Sequence, residues 1–417
     1  MKKVVSVLVM AVLLTLAAAA GPETVRAETP PAILLDGLPL SFPVPPTIIQ
    51  DRTMVPFRAI AEALGVTVTW QAETRSIDAR GADAEVHLTI NDKTALINGF
   101  PGPLDVPPLI VNDRTLVPLR FFSEAFGARV GWDGATRTVT VVSPVRTMRT
   151  LAFYAIRSFP ERQLVSRFSN VAYGWGVLKP DGRVDLTGDT EYRWPDPAGD
   201  VTGERLLADA ARSGTRRYLM LYATDEKGDY TRLVLDATLV DRAARETAAA
   251  VATRGFDGVV LDVEYLGQTE QGAELERVRQ GFTHLVQAVA QQLRAAGRET
   301  IISVHPLNGA FHGYDYAALA READLLQVMA HDYIDHRVDQ SPEPADKVIE
   351  AIDLALAQVG RNRILLGIVA PYETPQSLAQ KVGLAKRYGL AGISVWRLGT
   401  VGADRMAALE LLVIPQK

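Results

Sequence analysis

Residues 255–266 read Gly-Phe-Asp-Gly-Val-Val-Leu-Asp-Val-Glu-Tyr-Leu. In a strand, side chains two positions apart share a face. Val260, Asp262 and Glu264 therefore project together, and Leu261 and Val263 project the other way. Leu and Val suit a face covered by helices, which leaves Asp262 and Glu264 pointing inward. Burying two neighbouring carboxylates costs several kcal/mol unless they share a proton or find donors. A chain that needed only stability would place Val or Ile there. Such a pair also pushes one pKa up, as a general acid at neutral pH requires. The same spacing is compatible with a carboxylate satisfied by an arginine or a loop amide, or with a divalent-metal site.

This stretch is the fourth of eight similar ones. From residue 150 onward, short apolar β-rich runs alternate with helical patterns, which argues for βα units and a parallel sheet. The expected strands are 150–156, 169–175, 217–223, 257–264, 300–305, 325–331, 363–369 and 391–396. Helices are expected over 238–254, 274–296 and 342–359, the last opening with Pro342 and ending before Gly360. Eight parallel strands over roughly 270 residues is the count and size of a TIM (β/α)8 barrel, whose chemistry sits at the C-terminal strand ends. The fold class is thus α/β, a barrel over 148–417 preceded by a small α+β repeat domain over 33–143. Aromatic residues gather at the expected strand ends: Tyr154 on the first, Tyr173 and Trp175 on the second, Tyr222 on the third and Trp396 on the eighth. The long second connection, about 176–216, carries Trp194 and is placed to wall the cleft. His305-Pro306-Leu307-Asn308 ends the fifth strand, where it can line the same cleft.

The N-terminal region repeats itself at an offset of 62 residues. Asp51-Arg52-Thr53-Met54-Val55-Pro56-Phe57-Arg58 is followed by Ala61-Glu62-Ala63-Leu64-Gly65 and Trp70. Asp113-Arg114-Thr115-Leu116-Val117-Pro118-Leu119-Arg120 is followed by Ser123-Glu124-Ala125-Phe126-Gly127 and Trp132. Asp36-Gly37 and Asn98-Gly99 keep the same offset and read as hairpin turns between apolar runs. Each unit is expected to be a hairpin, a short amphipathic helix closed by Gly, and a strand through the Trp. Residues 86–97 alternate in places, as a half-buried strand would. This repeat resembles the copper amine oxidase N-terminal-like domain, a stalk or wall-binding module. His87 is the only His in the region, so no copper site is implied. Arg58, Arg120, Trp70 and Trp132 are expected mainly to close the core and its salt bridges. The junction Ser143-Pro144-Val145-Arg146 is short, which places the two domains side by side.

Before the repeat, Lys2 and Lys3 precede an apolar run to Ala20, and Val25-Arg26-Ala27 fits a small-x-small cleavage site. Residues 1–27 read as a secretory signal peptide, with cleavage after Ala20 as the alternative. The expected mature chain is secreted or held at the cell envelope, with no stable membrane insertion. The whole chain of 417 residues has 47% hydrophobic and 22% charged residues, an ordinary globular balance that excludes disorder. A net charge of −5 supplies no excess positive charge for nucleic acid. Zero cysteines exclude disulfides, thiolate sites, a Cys nucleophile and a lipid anchor on Cys, and six His leave little for structural zinc. No Gly-x-Ser-x-Gly elbow, phosphate-cradling loop or dinucleotide fingerprint occurs.

The barrel resembles the family-18 glycoside hydrolases, in particular the bacterial branch acting on cell wall and spore cortex. Their strand-four motif D-x-x-D-x-D-x-E is met here by Asp257, Asp262 and Glu264, with Val260 in place of the second Asp. The resemblance implies that Glu264 protonates the glycosidic oxygen and that Asp262 orients a 2-acetamido group whose carbonyl oxygen attacks the anomeric carbon. It implies substrate contacts from Asp257. It also implies them from Met329, His331, Asp332 and Tyr333 on strand six, where His331 stands at the family's usual Tyr. Trp396 becomes the floor beneath the sugar, with Tyr154 and Tyr222 beside it. No cofactor is expected, and a metal cluster of His331, Asp332, Asp335 and His336 lacks a recognised spacing. The expected partner is a β-1,4-linked N-acetylglucosamine polymer, peptidoglycan first and chitin second, with the N-terminal domain on the envelope. The competing expectation is a catalytically weak or inactive wall-binding barrel, which Val260 and His331 favour. A metal-dependent barrel enzyme stands third.

Overall fold

In the computed structural model, which describes residues 29–417, two domains follow one another along the chain. The expected signal peptide over 1–27 lies outside the described residues. Among the described residues no helix is long and apolar enough to cross a membrane.

The second domain is a closed barrel of eight parallel strands: β1 (Arg146–Tyr154), β2 (Asn170–Leu178), β3 (Arg216–Thr224), β4 (Gly258–Glu264), β5 (Glu299–Val304), β6 (Leu325–Val328), β7 (Ile364–Val369) and β8 (Gly392–Trp396). Each pairs with the next, and β8 returns to β1. All eight expected strands are present, offset by a few residues at some ends. Val413–Pro415 adds a short parallel strand to the start of β1, and Val184–Asp185 folds back antiparallel on β2. The helices follow the expected spans closely. Ala237–Thr253 is capped by Asp236, whose carboxylate accepts from the amides of Thr238 and Leu239. The helix expected from Pro342 begins at Ala345 instead, because Pro344 is its N-cap and the Glu343 side chain is drawn into the domain interior.

Inward-facing side chains stack in three layers. At the bottom, Glu299 accepts from Arg149 at 3.0 Å and from the Tyr218 hydroxyl at 2.6 Å, and pairs with Arg216. Gly258 makes room for this plug, since a Cβ there would lie 2.8 Å from the Tyr218 ring. The middle layer is apolar, with Leu151, Met220, Val260, Ile301 and Leu365 in one buried cluster. The top layer turns polar: Asp262 sits in register with Tyr222 on β3 and Ser303 on β5. The outward side chains of the same strands form the larger core with the helices.

The first domain carries the repeat as two related halves. Asp36-Gly37 and Asn98-Gly99 are two-residue turns with left-handed φ at both positions, 50° and 79° in the first and 51° and 82° in the second. Gln50-Asp51 and Asn112-Asp113 make a further pair of such turns without glycine. Helices Phe57–Leu64 and Leu119–Ala125 follow, ending at Gly65 and just before Gly127. The stretch 86–97, expected as one strand, is two: Glu85–Thr89 and Thr94–Ile97 turn back on each other. They belong to a five-stranded antiparallel sheet running from Thr67 to Pro103. In the other half Ala32–Leu35 pairs directly, and in parallel, with Thr138–Val142. The domains touch where Gln380 donates to the Gly37 carbonyl at 3.1 Å and Lys386 to the Ser143 carbonyl at 3.4 Å.

Candidate active site

A cleft of about 400 Å3 opens at the C-terminal ends of the barrel strands, within the size of small-molecule sites. Asp262 and Glu264 both line it, held there by the period of β4. Asp262 is buried, and its Oδ1 has no hydrogen-bond partner among the described residues. Ser303 Oγ also lacks a bond of ordinary geometry, yet the hydroxyl is near enough to draw the Asp262 pKa down in part. Burial nevertheless raises Asp262 above the ordinary carboxylate value. Glu264 is raised further, first by burial, then by the charges of Asp262, Asp332 and Glu226. The two titrate as a pair, and their environments push the proton onto Glu264. An unsatisfied buried carboxylate beside a protonated one is costly in a free protein and is satisfied when a ligand donates to it.

Three further strands supply the rest of the wall. On β8, Trp396 packs on Phe153 of β1 with ring centres 5.3 Å apart. On β3, Tyr222 stacks on Tyr192 at 4.3 Å and 17°. After β6, Met329, His331 and Asp332 line the cleft, and His331 Nδ1 lies 2.9 Å from Asp332 Oδ2. Asp332 holds a left-handed φ of 64°. Its amide and that of Tyr333 donate to the buried Glu343 carboxylate at 2.8 and 3.2 Å, and His336 Nε2 lies 2.7 Å from the same group. Glu343 thus fixes the turn that aims His331 and Asp332. Among the described residues no group of three or more His, Cys, Asp or Glu is arranged to hold a metal ion.

Three of the expected site residues lie elsewhere. Tyr154 is buried on the outer side of β1, against Tyr173 and Trp175, because Leu151 and Phe153 take the inward positions. Tyr173 and Trp175 share that outer cluster and are not mouth aromatics. Asp257 sits at the opposite end of β4, where Arg217 donates to both of its oxygens at 2.9 Å, so it braces the barrel's closed end. Tyr333 turns away from the cleft and donates its hydroxyl to Asn308 at 2.9 Å. His305 is buried among Tyr265, Phe311 and Tyr314, and burial depresses its pKa to about 3. The long connection after β2 does wall the cleft, through Tyr192. Its Trp194 instead packs outside, against Trp175 and under Arg254.

Arg397, directly after β8, was not anticipated. It lines the cleft and donates to the Leu398 carbonyl at 3.4 Å, with no carboxylate partner among the described residues. Tyr192, Tyr372 and Glu343 were equally invisible, being loop residues with no periodicity to place them.

Residues 152–354 match the family model described as Glycosyl hydrolases family 18, and residues 34–141 match that of the Copper amine oxidase N-terminal domain. The chain is 30% identical over 173 residues to Probable chitinase 10 of Drosophila melanogaster, covering 40% of this chain and 7% of that protein. It therefore spans only a small part of that relative's length. Among solved structures, a chitinase from Chromobacterium violaceum superposes with a TM-score of 0.54 at 22% identity, over 64% of this chain and 98% of that one. The Bacillus cereus spore cortex-lytic enzyme SleL gives a TM-score of 0.53 at 15% identity, over 66% and 77%. At these identities the two structures establish the shared fold.

Proposed function

Because the barrel is a domain of glycosyl hydrolases family 18 and the first domain is of the copper amine oxidase N-terminal type, we propose that this protein is an exported glycosidase that cuts β-1,4-linked N-acetylglucosamine polymers. The observation that carries the reading is the Asp262–Glu264 pair, aimed into the barrel mouth with its proton driven onto Glu264. In the proposed reaction Glu264 gives that proton to the glycosidic oxygen as the bond to the anomeric carbon breaks. The substrate's own acetamido carbonyl oxygen closes on the anomeric carbon, so no protein nucleophile is needed. The buried, unpartnered Oδ1 of Asp262 accepts from the acetamido N–H and holds it in line. Water then attacks the anomeric carbon as the bond from that carbon to the acetamido oxygen breaks, its proton passes to the Glu264 carboxylate, and the configuration is retained. Trp396 offers an aromatic face to the ring, and Tyr192 with Tyr222 extends that surface.

We place peptidoglycan ahead of chitin on Arg397. Chitin is uncharged along its length, whereas peptidoglycan bears carboxylates on its peptide stems, and an unpaired guanidinium in the cleft matches a carboxylate. Export rests on the charged and apolar pattern of residues 1–27. Purified sacculi and chitin oligomers, incubated side by side with wild type and Glu264→Gln, test this. Wild type should release reducing ends from sacculi, and the variant should lose at least 1000-fold in rate while still binding. Equal rates for the two proteins would remove Glu264 from the chemistry. The second reading, a binding barrel without turnover, is favoured by Val260, which puts an apolar side chain where the family motif has its second Asp. It predicts retention on sacculi with no reducing ends from wild type.

A further inference from the structure

The 62-residue repeat is also a spatial symmetry. Strands Arg52–Pro56 and Arg114–Pro118 pair antiparallel with Val55 opposite Val117, Met54 opposite Pro118 and Pro56 opposite Leu116. Val55 and Val117 are themselves equivalent under the repeat, so a pseudo-two-fold axis passes between them. Around it lie two clefts, each built from the turn of one half and the helix and Trp strand of the other. The first, about 640 Å3, takes Asp51 and Arg52 from one half and Arg120, Glu124 and Trp132 from the other. The second, about 500 Å3, takes Asp113 and Arg114 from one half and Arg58, Glu62 and Trp70 from the other. Every one of these five positions is matched across the axis at the same offset. Both clefts are larger than the one at the barrel mouth.

Apart from Trp70, which packs partly against the core, these side chains do little for the fold. Trp132 is 47% exposed, and all eight charged residues are exposed. In the first cleft Arg52 pairs with Asp105 at 2.6 Å, and Arg120 lies 3.6 Å from Glu124. In the second, Pro43 stands where the symmetry would put Asp105. There Arg114 and Arg58 have no carboxylate partner among the described residues. An indole face in a cleft, rimmed by guanidinium and carboxylate groups, fits a pyranose ring with its hydroxyls and amides. Two such clefts on one rigid sheet fit a chain that repeats its own units, and the unpaired arginines fit carboxylates along that chain.

We infer that the two clefts are a paired binding site for a carboxylate-bearing glycan, namely the peptidoglycan that the proposed function assigns to the barrel, on which reading the choice of polymer rests. The hydrogen bonds of Gly37 and Ser143 with the barrel's Gln380 and Lys386 hold this clamp in a fixed place relative to the catalytic cleft. Two linked sites bind a polymer far more tightly than either alone.

The test uses full-length protein in sacculus-depletion assays at low salt, with hydrolysis of a soluble glycan oligomer as a separate readout of the barrel. Trp70→Ala and Trp132→Ala should each weaken sacculus binding about tenfold, and the double variant about 100-fold, with oligomer hydrolysis unchanged. Trp70 is partly packed into the core, so Arg58→Ala combined with Arg120→Ala, both exposed, repeats the measurement without disturbing ring packing. That pair should weaken binding at least fivefold. Sacculus binding that is undiminished in the double variants overturns the clamp, as does competition by free stem peptide but not by glycan strands. If wild type binds sacculi through these residues yet cuts no polymer, the clamp stands and the glycosidase reading falls.

Discussion

Replacing Glu264 by Gln should protect the barrel against unfolding, by an amount that grows with pH. The reasoning uses the proton alone and needs no substrate. Burial, then the neighbouring Asp262 and Asp332, raise the Glu264 pKa above the 4.5 it has when exposed. A group whose folded pKa exceeds its unfolded value keeps a proton in the fold that the unfolded chain has released. Stability is then greatest below the unfolded pKa and falls as pH climbs toward the folded one. One group costs at most about 1.4 kcal/mol per pH unit, so wild type loses up to about 2.8 kcal/mol between pH 5 and pH 7. Glu264 sits at the mouth and shares its titration with Asp262, which trims the loss to no less than roughly half that figure. Gln has no proton to release and escapes the loss. The assay is urea unfolding of both proteins at pH 5, 6 and 7, followed by tryptophan fluorescence, using the barrel's transition where the two domains unfold separately. The variant's advantage should widen by about 1.4 to 2.8 kcal/mol from pH 5 to pH 7. An advantage that stays flat or shrinks would show that Glu264 is already ionised in the fold at neutral pH. It would then have no proton to give to a glycosidic oxygen.

Arg397→Met keeps most of the side-chain volume and removes the cleft's unpaired guanidinium. It should lower kcat/KM on peptidoglycan fragments about tenfold and leave chitin oligomers within twofold, and equal losses on both would detach Arg397 from polymer choice. Glu299→Gln removes the acceptor shared by Arg149, Arg216 and Tyr218. Burial opposes ionisation there, but those partners hold its pKa at about 2. Because that value lies below the unfolded 4.5, the contribution is present above pH 4.5 and fades as pH falls toward 2. The variant should lose about 2 kcal/mol at pH 7, discounted for the partly exposed arginines, and its deficit in urea unfolding should shrink below pH 4.5.

The barrel was legible because each strand is a short apolar run and each run is followed by a helix with clear ends. Asp262 and Glu264 were legible because the alternation of β4 was carried through to a face. Tyr154 was misplaced where that step was omitted. On β1 the inward positions belong to Leu151 and Phe153, which turns residue 154 toward the helices. Tyr173 and Trp175 were obscured further by a register shift on β2 between Tyr173 and Gly176. Asp257 lies five residues before Asp262. An odd separation on a strand reverses the face, and the distance carries it to the far end. Tyr192, Arg397 and Glu343 sit in connections whose positions depend on contacts made across the barrel, which no local pattern encodes. The repeat in the first domain was read as a packing device. Its exposed tryptophan and arginines gained a second meaning only when the pairing of Val55 with Val117 placed the halves around one axis.

In the proposed reaction, Val260 decides how the Asp262–Glu264 pair works. It belongs to the apolar middle layer, fully buried with Met220 and Ile301. With no carboxyl below it, Asp262 has no partner deeper in the barrel with which to share a proton. Burial is the largest influence on its titration and raises its pKa; Ser303 and His331 oppose that and favour the ionised form. An ionised Asp262 in turn raises Glu264, so the proton stays at the outer carboxyl, where a glycosidic oxygen would meet it. The family's second Asp is therefore not required to load the acid. Its absence confines the titration to two interacting carboxyls, and it leaves Asp262 Oδ1 dependent on the substrate for its hydrogen bond. A sugar without an N-acetyl group supplies no such donor, so on the proposed mechanism the site should favour acetylated rings.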